Sequence, residues 1–143
     1  VLIRYEIEKE LIEGNTNVDD LPSKWNKLYK KYLNIDVPSD SLGVLQDIHW
    51  SHGSFGYFPT YTIGSFYAAQ FYAQASKEIT NIDIKMESGD TNELLAWLRK
   101  KIHIHGQRYD AKDLCKMITG EELNFKYFMN YAKDKYSKIY NLK

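Results

Sequence analysis

The residues best suited to chemistry lie in one short polar stretch, residues 43–61. It contains two His, one Asp, one Gln, two Tyr and three Gly, and it has no sustained helical or strand period. Loops that concentrate polar and aromatic side chains on a rigid scaffold are common sites of binding and catalysis. The alternative is a structural loop whose polar groups satisfy buried backbone atoms. The residue types alone leave both interpretations open.

Tyr57 and Tyr61 are four residues apart and lie next to Gly56 and Pro59, a pattern typical of a junction between a loop and a helix. Tyr hydroxyls, and a suitably protonated ring such as that of His49, can donate hydrogen bonds to a developing oxyanion. The alternative is that both Tyr rings pack and their hydroxyls bond backbone groups. The spacing of the two Tyr residues alone favours this second interpretation, in which their rings pack.

His49 and His52 are three residues apart and are the candidate metal ligands of the stretch. A catalytic zinc ion takes three protein ligands and keeps an open position, so this pair would need a third ligand. The chain contains no HExxH sequence and no Gly-rich phosphate loop. His103 and His105 suit a solvated helix C terminus, where a protonated imidazole interacts favourably with the helix dipole. A small metal protein built on His49 and His52 is therefore the weaker interpretation.

The composition argues against several classes of protein. The 143 residues carry 19 Lys and Arg against 19 Asp and Glu, which does not indicate a basic face for nucleic acid. The 15% of aromatic residues argues against disorder. No apolar run approaches the roughly 20 residues that span a bilayer, and no signal-peptide pattern opens the sequence. The single cysteine, Cys115, lies on a helical stripe as a packed thiol and suits the reducing cytoplasm.

Apolar residues recur at helical spacing through most of the chain, and no segment has the pattern of a strand. The longest predicted helix, residues 60–80, is apolar on nearly all sides, which is typical of a buried helix. The prediction is an all-α fold of about six helices packed around one long buried helix. The apolar stripes that predict the other helices include Ile3, Ile7 and Leu11; Trp25, Leu28 and Tyr29; Leu94, Leu95 and Leu98; Leu114, Met117 and Ile118; and Phe125, Phe128, Met129 and Ala132.

The sequence begins with Val1, not with Met, and opens directly in an apolar helical pattern. The simplest interpretation is a piece of a longer protein, and a processed or tagged chain is the alternative. The rest of a longer protein would cover apolar surface, so we expect the isolated piece to associate with itself.

Residues 43–50 read Gly-x-x-Gln-Asp-x-His-Trp, which resembles a signature of the carboxypeptidase Taq family, metallocarboxypeptidases with an HExxH zinc motif. The continuation, residues 52–61, and the opening run, residues 3–14, are also similar to that family. Residues 97–106 and 119–121 fit it as well. The similarity therefore extends over almost the whole chain, and the eight-residue signature is its specific part.

The resemblance implies that residues 1–143 are the C-terminal portion of a mostly helical, zincin-like metallopeptidase of about 500 residues. Zinc, or another divalent metal such as cobalt, would be held upstream by the two His of HExxH and a later Glu. This portion would supply one wall of the active-site groove and no metal ligand. Such enzymes remove single C-terminal amino acids from peptides, with the metal activating a water and the HExxH Glu taking its proton.

The resemblance also implies roles for the residues of the polar stretch. By analogy with related metallopeptidases, the imidazole and one of the two Tyr would donate to the transition state or to the substrate backbone. The Gln and Asp of the signature would orient the imidazole or line the groove. The implied catalytic residues are His49, Tyr57 and Tyr61, and the implied substrate-binding residues are Gln46, Asp47 and His52.

The arginine expected to bind the substrate carboxylate belongs to an upstream motif, which Arg4 does not match. The implied partners are the C terminus of a peptide, the upstream part of the same protein and a second copy in a homodimer, without nucleic acid or membrane. The alternative function is a non-catalytic helical domain that binds other proteins. Zero net charge and an aromatic surface suit that alternative, whereas a start without Met does not.

Overall fold

The computed structural model describes residues 1–142, and over that range the chain forms seven α-helices, four 3₁₀ turns and no strand. The all-α prediction is confirmed, with seven helices where about six were predicted. The chain divides into two compact units, residues 1–63 and residues from 64 onward. The prediction of one segment over residues 1–143 stays a prediction. The helices are α1 (Leu2–Ile12), α2 (Leu21–Leu33), α3 (Phe58–Glu78), α4 (Ile82–Glu87), α5 (Asn92–Lys101), α6 (Ala111–Thr119) and α7 (Lys126–Tyr140).

The core of the first unit joins α1 to α2. Ile3 and Ile7 of α1 pack with Trp25 and Leu28 of α2, and Val44 from the following loop completes the buried cluster. The helical spacing of these residues puts each set on one face of its helix. Burying each such apolar side chain contributes about 1.5–3 kcal/mol, so this cluster fixes α1 beneath the loop that carries the site.

The core of the second unit lies where four helices converge. Ala75 from α3, Ile82 from α4, Trp97 from α5 and Ile118 from α6 are buried together with Ile79. Of the apolar stripes predicted for α5 and α6, Ile118 lies in this core and Leu94, Leu98 and Leu114 pack against it partly buried, whereas Leu95 and Met117 are exposed. The short helix α4 is included because Ile82 is its inward-facing residue.

Cys115 and the two His after α5 match their predictions. Cys115 of α6 is buried, burial raises the pKa of its thiol, and its Sγ lies 3.8 Å from Thr119 Oγ1, as expected of a packed thiol. His103 and His105 form a 3₁₀ turn directly after α5. Over residues 1–142, no helix combines the length and the apolar character needed to cross a bilayer.

The long helix α3 begins two residues before its predicted start and differs from the prediction in its burial. Phe58, Gln70 and Ala75 are buried, whereas Tyr61 and Ala68 are exposed. Ala68 is exposed because it lines an open groove of about 800 Å³ in the second unit, between small residues of α3 and aromatic residues of α7. The groove is lined by Ser65, Ala68, Ala69, Tyr72, Ala73, Tyr127, Phe128 and Tyr131, among others.

Glu78, at the C-terminal end of α3, ties this helix to α5. Its Oε1 accepts a hydrogen bond from Gln74 Nε2 at 2.9 Å. Its Oε2 accepts from Trp97 Nε1 at 2.9 Å and pairs with Lys101 Nζ at 3.0 Å. The hydrogen bonds from Gln74, Lys101 and Trp97 lower the pKa of Glu78 from 4.5 to about 2, against the opposing effect of burial.

Glu78→Gln is expected to lower the thermal unfolding midpoint near neutral pH and to have a much smaller effect at about pH 2. Because the folded-state pKa lies below the ordinary value, the stabilisation is fully present above about pH 4.5 and is lost as the pH falls through about 2. Circular dichroism melts of both proteins across this range measure the difference. Glu93→Gln, which breaks the exposed pair with Lys85, is the control. A midpoint difference that stays constant with pH would contradict the prediction.

Candidate active site

The polar stretch folds as a turn-rich loop that leads into α3. Gly43 joins two 3₁₀ turns of this loop and is buried. A Cβ atom at Gly43 would lie 2.6 Å from Val37 Cγ1 and 3.1 Å from the Ser39 carbonyl oxygen, so the close approach requires glycine. The chain then turns through residues 47–57 and begins α3 at Phe58.

His49 is held between Asp47 and Tyr61. Its Nδ1 lies 2.9 Å from Asp47 Oδ1, and its Nε2 lies 3.1 Å from Tyr61 Oη. Asp47 Oδ1 also accepts the backbone N–H of His49 at 2.9 Å. Because an ionised carboxylate only accepts hydrogen bonds, Nδ1 carries a proton, and an Nε2 without a proton accepts from the Tyr61 hydroxyl. Three of the six predicted site residues thus form one hydrogen-bonded chain.

Asp47 is bound on its other side by Arg4 of α1. Arg4 Nε donates to Asp47 Oδ2, and the side chain of Asp47 is only 3% exposed. Burial by itself would raise the pKa of Asp47, but hydrogen bonds from the His49 backbone, from Arg4 and from the His49 ring together hold that pKa below its usual value. Asp47 is therefore ionised at neutral pH and fixes the tautomer of His49.

Aromatic rings frame one side of the His49 imidazole. The ring centroid of Phe58 lies 4.8 Å from that of His49, and the centroid of Tyr57 lies 5.9 Å from it. The Tyr57 and Tyr61 rings meet edge to face at 5.3 Å, and each Tyr is 48% exposed. The three predicted catalytic residues therefore lie together at an accessible surface of the first unit.

Gln46 and His52 lie outside the hydrogen-bonded chain. Gln46 is exposed, and its Nε2 donates to the backbone carbonyl of Ser41. His52 is also exposed; its Nδ1 lies 2.9 Å from Ser54 Oγ, and its ring centroid lies 5.8 Å from that of His49. The Asp of the signature therefore orients the imidazole, whereas the amide of Gln46 reaches back to its own loop. Their roles toward a substrate stay predictions.

Arg4 and Glu8 also lie beside the loop that carries His49 and Asp47, although no site role was predicted for either from the sequence. The guanidinium carbon of Arg4 lies 4.9 Å from the ring centroid of Trp25 and 5.8 Å from that of Phe58. Glu8 is buried, and its Oε1 accepts from Trp50 Nε1 at 3.3 Å. Both residues lie on α1 four positions apart, beside the buried Ile stripe, and opposite charges at the edge of an apolar stripe are the sequence signal that could have found them.

Comparison with known proteins decides the family. The family model described as carboxypeptidase Taq (M32) metallopeptidase matches residues 1–136. The chain belongs to this M32 family. It is 44% identical over 142 residues to carboxypeptidase 1 of Bacillus subtilis, an alignment that covers 99% of this chain and 28% of that protein. It is 40% identical to thermostable carboxypeptidase 1 of Pyrococcus furiosus, over 95% of this chain and 27% of that protein.

Solved structures agree with the M32 assignment. The crystal structure of an M32 carboxypeptidase from Deinococcus radiodurans R1 matches with a TM-score of 0.90 at 35% identity, over 98% of this chain and 28% of that chain. The chain thus spans little more than a quarter of the length of the relatives it matches. The family predicted from residues 43–50 is confirmed, and the match does not favour the non-catalytic interaction domain.

The M32 family is a family of metallopeptidases, which implies a metal ion. Over the described part of the chain, no three His, Cys, Asp or Glu side chains converge on one point. Both ring nitrogens of His49 are hydrogen-bonded, to Asp47 and Tyr61, and His52 Nδ1 contacts Ser54. The described residues therefore do not fit a catalytic metal site, and a metal protein built on the His49 and His52 pair is not supported.

Proposed function

We propose that this chain is the C-terminal portion of a zinc metallocarboxypeptidase and forms one wall of its active-site groove. The whole enzyme would remove single C-terminal amino acids from peptides. Membership of the M32 family and relatives named as carboxypeptidases support this reaction class. The observation that carries the chain's own role is the hydrogen-bonded chain from Arg4 through Asp47 and His49 to Tyr61, which ends at an accessible surface.

His49 and Tyr61 are suited to stabilise the transition state of peptide hydrolysis. Addition of water to a peptide carbonyl turns its oxygen into an oxyanion, and preorganised hydrogen-bond donors lower the barrier to that change. With a neutral ring, Tyr61 donates to His49 Nε2. When Nε2 is protonated it becomes the donor, and the Tyr61 hydroxyl can then donate to the substrate. In both states the Asp47 carboxylate accepts from His49 Nδ1 and so keeps the ring in place.

Tyr61 is the better candidate of the two Tyr for the oxyanion donor. Its hydroxyl is bonded to His49, which fixes its position, whereas Tyr57 contacts His49 through ring packing. Tyr57 would act as a second donor to the substrate backbone. The exposed side chains of Gln46 and His52 would line the active-site groove beside the two Tyr residues.

The metal would be zinc, or another divalent metal such as cobalt, held by residues other than those described here. When bound, it would polarise the scissile carbonyl and activate a water.

The partners would be the C terminus of a peptide, the rest of the same protein and a second copy in a homodimer. Tyr131, Tyr136 and Ile139 of α7 are exposed and would suit such packing. The single buried thiol of Cys115 fits a cytoplasmic location, and zero net charge argues against nucleic acid.

Tyr61→Phe in the full-length enzyme is expected to lower kcat about 10- to 100-fold, because it removes one hydrogen-bond donor and keeps the ring. KM should change little, since the donor acts mainly in the transition state. Steady-state release of the C-terminal amino acid from a short peptide measures both constants. Tyr140→Phe, at an exposed Tyr near the end of α7, is the control. An unchanged kcat for Tyr61→Phe would remove Tyr61 from the proposed mechanism.

A further inference from the structure

We infer that Arg4 is a positioning residue of this active site, which acts on the reaction through Asp47 and His49 and does not bind the substrate carboxylate. This inference rests on the proposed function and deepens it. Arg4 lies on α1, and 43 residues separate it from Asp47. Its position under the site is therefore a property of the fold and not of the signature loop.

Arg4 is held in place from two directions. Its Nε donates to Asp47 Oδ2, and its guanidinium lies over the rings of Trp25 and Phe58. Trp25 is 2% exposed and Phe58 is also 2% exposed, so both rings are fixed by the core of the first unit. Phe58 also packs against the His49 ring at 4.8 Å. Arg4 and His49 thus share one rigid aromatic neighbour in addition to the shared carboxylate.

Asp47 divides its two oxygens between Arg4 and His49. Oδ2 accepts from Arg4, whereas Oδ1 accepts both the backbone N–H and Nδ1 of His49. Without Arg4, the almost completely buried carboxylate would lose its cationic partner, which is strongly unfavourable. Asp47 would then take up a proton or turn toward solvent. Protonation would weaken the hydrogen bond to His49 Nδ1, and a turn toward solvent would release it, so in both cases the ring could adopt the other tautomer.

The same contacts argue against a direct role for Arg4 in binding substrate. The charge of Arg4 is balanced by Asp47, and two aromatic rings lie against the guanidinium. A substrate carboxylate would have to compete with a preformed ion pair whose carboxylate is buried. An arginine that binds a ligand carboxylate normally offers its planar fork of donors to that ligand.

Arg4→Gln in the full-length enzyme is expected to lower kcat about 10- to 100-fold, the usual effect of losing a residue that orients a catalytic group. KM for a short peptide should stay within about threefold of wild type, because substrate binding does not use Arg4. Arg4→Lys keeps a positive charge beside Asp47 and should recover part of kcat. Lys24→Gln is the matched control, because it breaks an ion pair between α1 and α2, with Glu10, away from the site. Circular dichroism melts of all variants report on folding.

A double-mutant cycle with His49→Ala decides the mechanism of the effect. If Arg4 acts through His49, Arg4→Gln should change kcat less than about twofold in the His49→Ala background. An equal loss in both backgrounds, or a rise in KM without a fall in kcat, would overturn the inference. The inference would also be overturned if the Arg4 variants had the same kcat as Lys24→Gln while His49→Ala had a reduced kcat. Full activity of His49→Ala would instead refute the proposed function itself.

Discussion

His49→Ala in the full-length enzyme is expected to lower kcat for peptide hydrolysis on the order of 100- to 1,000-fold, the range measured when an oxyanion donor is removed elsewhere. The substitution removes Nε2, which contacts the Tyr61 hydroxyl at 3.1 Å and helps to position it. It also removes the ring that packs against Phe58 at 4.8 Å. One substitution therefore affects both the Tyr61 hydroxyl and the packing of the Phe58 ring.

The measurement is steady-state release of a C-terminal amino acid, with kcat and KM determined separately. Because His49 acts in the transition state more than in substrate binding, most of the loss should be in kcat. The control is His103→Ala, which removes an exposed His from the 3₁₀ turn after α5. A double variant with Tyr61→Phe should lose little more than His49→Ala alone, because the two residues act together. A His49→Ala enzyme with near wild-type kcat would exclude His49 from the mechanism.

Asp47→Asn is expected to lower kcat on the order of 100- to 1,000-fold with almost no change in side-chain volume, since a neutral amide cannot fix the tautomer of the neighbouring imidazole. The carboxylate accepts from Arg4 with one oxygen and from His49 with the other. The amide of Asn has one acceptor oxygen and one donor nitrogen, so either Arg4 or His49 must face the donor nitrogen. If the amide nitrogen faces His49, it favours the ring with its proton on Nε2. If it faces Arg4, two donors oppose each other in a buried place.

The Asp47→Asn prediction is checked by kcat and KM together with the thermal unfolding midpoint. We expect a lower midpoint as well, because Arg4 would lose its buried ionic partner. Asp36→Asn is the control, because it neutralises an aspartate that is 83% exposed and pairs with Lys30 at 2.7 Å. A fall in the midpoint with unchanged kcat would show that Asp47 stabilises the fold without orienting His49.

The helical pattern of the sequence predicted the architecture because each stripe records which face of its helix is buried. Ile3 and Ile7, and likewise Trp25 and Leu28, are buried as their spacing indicated. The same reasoning overestimated how much of the surface of α3 is buried. Apolar and small residues on all sides show that a helix can be covered, but covering needs a neighbour, and beside α7 those residues line an open groove.

Part of the candidate site could be predicted because its residues are close in the chain. Asp47 and His49 are two residues apart, and Tyr61 lies on the first turn of the next helix, so local geometry brings them together. Gln46 shows the limit of such reasoning. It stands beside Asp47 in the signature, yet its amide donates to the Ser41 carbonyl, because the 3₁₀ turn directs it back onto its own loop.

The sequence by itself determined the helical class, the family and the loop whose His and Tyr residues are the candidates for catalysis. Only the tertiary structure decided that Arg4 balances the charge of Asp47, and that His49 donates to that carboxylate while contacting Tyr61. The physical reason is distance along the chain. Helical periodicity and local motifs encode neighbours a few residues apart, whereas the packing of α1 against α2 sets which side chain meets the loop from 43 residues away.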